Sequence, residues 1–295
     1  MVMDACFILE FIFWFSEFDK SVLLENQIPF FILNEIFECT ILKFDPEVSL
    51  IKLFYRVLAF LNIFRADITV NNISINSTPH ILGLLHECYK PQNNVTSVYI
   101  PSVIHSAIDL CRAGVNFKPN RNPKWMMGME VDLRRFIPCF FGSWSKATLR
   151  LPVLSVHEFT ELVLRNLIAY EQLGQTRNYV TSYVIAMGML VNTQEDVAQL
   201  VASKVLVNSI GSNEEAANMI NNMCKEVACL EFFYEQQWET LNMYYNGYWP
   251  KNIAWLRKTY FSSPWNMIAL FAGIILFALT IVQTIFTIKS AGNKY

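Results

Sequence analysis

Charge is scarce in this sequence. Lys and Arg together number 23 and Asp and Glu 25 among 295 residues, for a net charge of −2. That balance excludes a global basic footprint for nucleic acid. No dense basic run compensates; the closest pairs are Arg134–Arg135 and Arg257–Lys258. Histidine is scarcer, with four copies at 80, 86, 105 and 157. His80 and His86 are six apart and fall on different faces of a helix, so they do not form a metal pair. His86, Glu87 and Cys88 are consecutive, and consecutive residues on a helix point apart. No GxGxxG, Walker loop, GxSxG or HExxH motif occurs. Cysteine is present seven times, an odd number with no CxxC. This spacing is neither a zinc site nor a disulfide framework and reads as reduced, buried thiols. The paired acids Glu195–Asp196 and Glu214–Glu215 sit at expected helix starts, where the macrodipole favours them. No catalytic, cofactor-binding or metal residue is assigned from these patterns, and the expectation is a non-enzyme.

What is abundant is apolar. Hydrophobic residues make up 53% of the chain and Phe alone occurs 23 times. An apolar stretch with no charged residue runs from Asn266 to Ile288. As a helix it would be about 35 Å long, against a bilayer core of about 30 Å. Its polar residues are Thr280, Gln283, Thr284 and Thr287, whose side chains carry no charge. Trp255, Tyr260, Phe261 and Trp265 precede it as an expected interfacial belt, and Lys289 and Lys294 follow it. The expectation is a single transmembrane helix with the lipid bilayer as partner. The start of the chain has Asp4, Glu10 and Glu17 breaking its apolar run, which is no export signal. The body is therefore expected in the cytosol, at the plasma membrane or the endoplasmic reticulum. The sequons at Asn72, Asn76 and Asn94 then mark only polar loops.

Periodicity organises the rest as a mainly α body over residues 1–262, an anchor over 263–288 and a tail over 289–295. Met3–Phe18 reads as a helix, and Pro29 opens another that ends near Thr40. Asp45-Pro46-Glu47 reads as a helix start, followed by a stripe of Leu50, Leu53, Phe54, Val57, Leu58 and Leu61. Short helices are expected over His80–Tyr89 and Pro101–Ala113, the latter stopped by Gly114. Alternation near 115–153 predicts one small antiparallel sheet from Val115–Phe117, Glu130–Phe136 and Ala147–Val153. Ser155–Glu158, Thr193–Asp196 and Ser212–Glu215 read as capping boxes, with a further helix over Tyr179–Val191. From Phe232 onward aromatics accumulate, and some are expected to rest on the bilayer interface.

Several stretches together resemble a known family. They are Asp4-Ala-Cys-Phe-Ile-Leu-Glu10, Leu23-Leu-Glu-Asn-Gln-Ile-Pro-Phe-Phe31, Ala113-Gly-Val-Asn-Phe117, Leu151-Pro-Val-Leu154, Arg165-Asn-Leu-Ile-Ala-Tyr-Glu-Gln172, Asn192-Thr-Gln-Glu-Asp-Val197, Tyr260-Phe-Ser-Ser-Pro-Trp265 and Thr280-Ile-Val-Gln-Thr284. The chain resembles the plant domain-of-unknown-function 247 (DUF247) family over nearly its whole length. The resemblance implies a plant, membrane-associated protein with a C-terminal anchor and no assigned catalytic residues. Some grass members are linked to pollen self-recognition, a role not carried over to this chain. Because Met1 stands almost at the first matching stretch, a shortened member is expected. The function expected is a membrane-anchored protein-interaction module with an unknown protein partner and no small-molecule ligand; the alternative is a membrane-bound enzyme of unrecognised type.

Overall fold

The computed structural model describes residues 28–44, 46–47, 49–66, 68, 80–91, 105–121, 125–135, 145–174, 176–225, 227–247 and 264–292. The expected helix over Met3–Phe18 and the three sequons lie outside these residues. Pro29, which lacks the N–H that a first turn leaves unbonded, immediately precedes α1 (Phe30–Cys39). A single turn, α2 (Ile41–Phe44), follows. Helix α3 (Leu50–Leu61) buries all six residues of its expected stripe. It starts later than Asp45: Ser49 is extended and its hydroxyl accepts from Lys52 N at 3.3 Å, while Pro46 and Glu47 form a turn. In α4 (Ile81–Tyr89), His80 Nδ1 does the same work, accepting from Gly83 N at 3.1 Å. Helix α5 (Ala107–Arg112) is capped by Ser106 and closed by Gly114, whose φ of 96° only glycine adopts freely.

Three strands follow, β1 (Asn116–Pro119), β2 (Glu130–Arg135) and β3 (Ser145–Leu151). Their order is β1-β3-β2, with β3 antiparallel to β2 and parallel to β1. The expected antiparallel sheet is therefore mixed. Alternation fixes which face of a strand is buried, but not the direction of the neighbour it pairs with. Arg150 on β3 donates to Asp132 on β2 at 2.8 Å, which holds the antiparallel register.

Next comes β4 (Leu154–Val156), which pairs in parallel with β5 (Leu206–Asn208). Between them lie α6 (Glu158–Gln172), α7 (Tyr179–Leu190) and α8 (Gln194–Ala202). Because β4 takes Ser155 into a strand, the start of α6 moves to His157, whose N–H donates to Thr160 Oγ1 at 3.0 Å. The Thr193–Asp196 and Ser212–Glu215 boxes form as expected, the second opening α9 (Asn213–Met223). Helix α10 (Glu235–Tyr245) packs on β2. Helix α7 is the centre of the body: apart from Ile185 and Gly188, every residue in it is buried, and α4, α6 and α9 pack around it. The run Phe232, Phe233, Tyr234, Trp238 and Tyr244 is likewise buried, so these rings fill the core rather than face an interface.

The last helix, α11 (Pro264–Gly292), forms where a helix was expected, and its side chains at 268–269 and 271–286 are exposed. The expectation of a transmembrane helix is not upheld: among the described residues, no helix is long and apolar enough to cross a membrane. Thr280 and Thr284 donate to the carbonyls of Leu276 and Thr280 at 2.8 and 2.7 Å, so their hydroxyls are satisfied within the helix.

Candidate functional site

The buried polar groups come first, because burial without a partner would be costly. Glu171 lies on α6 in line with the apolar stripe of Val163, Leu164, Leu167 and Ile168, and it is 1% exposed. Its carboxylate accepts from Val180 N and Thr181 N, each at 2.8 Å, at the start of α7. His86 on α4 completes it, with Nε2 at 2.8 Å from Glu171 Oε1. Asp196 is the second such group. One oxygen accepts from Ile108 N at 2.9 Å in the first turn of α5, and the other from Asn192 N and Thr193 N, each at 3.1 Å. Each carboxylate therefore closes the positive end of another helix, Glu171 that of the next in sequence and Asp196 that of one far back in the chain. Both are sealed from solvent, and their oxygens are occupied by backbone donors. That chemistry is structural: neither can reach a substrate proton.

The surface offers a different arrangement. The first turn of α6 and the outer face of α9 enclose an open cleft of about 480 Å³. It is lined by the carboxylates of Glu158, Glu161 and Glu215, by the apolar Ile210 and Met219, by two asparagines and by His157. Burial lowers the His157 pKa and the neighbouring Glu158 carboxylate opposes that shift, so the ring is held towards its neutral form. Its Nδ1 is buried and has no hydrogen-bond partner. Glu161 is bridged to Arg165 at 2.7 Å along α6, and Glu215 reaches Ser212 N at 3.5 Å. An aromatic ridge adjoins the cleft. The His157 and Phe159 rings are 6.1 Å apart, and Phe159 touches Phe60 of α3 at 5.8 Å. Phe60 is 46% exposed.

The other histidines are accounted for locally. His80 caps α4, and burial lowers its pKa. His105 stacks on Tyr245 with ring centroids 3.7 Å apart. Arg177 lies over the Phe233 ring at 4.8 Å and bridges Glu231 at 3.2 Å. Among the described residues no group of three or more His, Cys, Asp or Glu side chains is placed to hold a metal ion. Among the described residues Cys39, Cys88, Cys111, Cys224 and Cys229 form no disulfide; Cys39 is exposed and the other four are half-buried, where buried thiols were expected. The expected interfacial residues Trp255, Tyr260 and Phe261 lie outside the described residues, as do the side chains of Trp265 and of Asn266 and Ile288 at the ends of the expected span. The sequence reading missed Glu171; the signal was a carboxylate standing in register with an otherwise apolar helical stripe.

The family model described as DUF247, plant protein of unknown function, matches residues 1–279. The UPF0481 protein At3g47200 of Arabidopsis thaliana is 27% identical over 99% of this chain and 68% of its own length. The putative UPF0481 protein At3g02645 of the same plant is 32% identical over 64% of this chain and 33% of its own length. No solved structure matches.

Proposed function

The chain belongs to the plant DUF247 family of unknown function, and on that premise we propose that its helical body is a protein-recognition module. The observation that carries this reading is the exposed ring of Phe60 packed on the half-buried Phe159, whose ring neighbours His157 in the lining of an open cleft. A small-molecule site is concave enough to bury most of its ligand. This cleft is open, and the exposed Phe60 ring near it suits a partner surface. Single exposed hydrophobes need no explanation; an exposed ring joined through Phe159 and His157 to a cleft does.

The test replaces one ring. Phe60→Ser in the full chain, expressed in plant cells as a proximity-labelling fusion, should lose a defined subset of labelled neighbours while the melting temperature stays close to that of the parent. An unchanged set of neighbours would reject the ridge as a recognition surface.

A further inference from the structure

We infer that the occupant of the groove is a short segment of a partner protein that carries Lys or Arg beside apolar side chains. The inference rests on the recognition reading above and names the chemistry of what is recognised. The helix macrodipole accounts for Glu158 at the start of α6 and for Glu215 at the start of α9, since each lies in a first turn. It does not account for their meeting across one concavity. Nor does it account for Ile210 and Met219 lining the same cleft, or for the exposed ring of Phe60, which packs on Phe159 beside His157.

Charge complementarity selects the occupant. Three carboxylates line the wall, and the one cation bridged to them among the described residues, Arg165, is bound to Glu161 alone. Bringing an acidic segment against this wall would set like charges together across a partly desolvated groove, which is strongly unfavourable. A basic head on an aliphatic stem fits both halves of the site. The stem of Lys or Arg lies along Met219 and Ile210 while the head meets the carboxylates. An Arg head also suits the neighbouring aromatic faces. His157, held towards neutrality, adds no repelling charge.

The experiment uses the full chain and two dye-labelled synthetic peptides read by fluorescence anisotropy. One alternates leucine with lysine and arginine; its twin replaces every basic residue with glutamate. The basic peptide should bind, and its affinity should fall as ionic strength rises. The double variant Glu161→Gln with Glu215→Gln should bind it about ten-fold more weakly, while its melting curve stays that of the parent. The glutamate twin should not bind. Equal binding of both peptides, undiminished binding by the double variant, or binding by neither peptide would overturn the inference. If the peptides fail while Phe60→Ser still loses its labelled neighbours, only the basic character of the partner is wrong. If Phe60→Ser loses none, the recognition surface itself is wrong.

Discussion

Gly188 leaves no room for a side chain between α7 and the end of α9. It sits in α7, and a Cβ built on it would overlap the Cys224 sulfur at the end of α9. The thiol is held there, donating towards Ile220 O at 3.3 Å and Val184 O at 3.4 Å. Burial raises its pKa to about 11, so at neutral pH it is a small neutral packing group rather than a nucleophile. Gly188→Ala should therefore destabilise the fold by about 1–3 kcal/mol through overpacking, although alanine is the better helix former. Cys224→Ala should relieve most of that loss, giving a coupling energy of about 0.5–3 kcal/mol in a double-mutant cycle. Urea unfolding of the four proteins measures it, and additive losses would place the strain elsewhere.

Helix ends decide how the elements are joined. Glu171 fastens α6 to the start of α7, and Asp196 fastens α8 to the start of α5. Replacing Asp196 with Ala leaves the N–H groups of Ile108, Asn192 and Thr193 without their acceptor, each loss costing about 1–3 kcal/mol where the donor stays dry. The N-terminal turn of α5 should then open first, and hydrogen exchange should show Ile108 and Asn192 losing protection ahead of the α7 amides. Uniform loss across the body would mean that Asp196 serves global rather than local closure. Half of this joint was legible in the sequence. Thr193–Asp196 reads as a capping box because both partners are three residues apart. Its bond to Ile108 was not legible, since the two residues are brought together only by the fold. The same divide holds for the strands: alternation located β1, β2 and β3 but not the parallel pairing of β1, and β4 and β5 are too short to show a period. Of the cleft, the sequence showed Glu214–Glu215 and His157 as helix-start residues. Their convergence with Phe60 needed the packing of α3 against the start of α6.

Across the whole molecule, the same burial that stores apolar area also stores neutral acids. Cys88 is raised to about 12 by burial first and by the Glu87 carboxylate second. Tyr89, Tyr183 and Tyr234 are all raised, burial being the first cause in each. A raised acid keeps its proton in the folded state after the unfolded chain has released it. These groups thus leave stability unaltered below their ordinary values of 9.0 for the thiol and 10.0 for the phenols, and remove it as pH climbs through that window. Each contributes a slope of about 1.4 kcal/mol per pH unit there. The urea midpoint should hold to about pH 9 and then fall steeply. Tyr183 isolates the cause, because its hydroxyl is fully buried and has no hydrogen-bond partner. Tyr183→Phe removes that lone polar atom without removing the ring that packs on Phe64 at 5.1 Å. At neutral pH the change should be neutral or stabilising by about 1 kcal/mol, since an unsatisfied buried group is lost. Above about pH 10 the variant should hold its midpoint better than the parent, its slope lowered by one group. Destabilisation at neutral pH would show that the hydroxyl is satisfied inside the folded protein. An unaltered alkaline slope would show that the phenol does not hold its proton there.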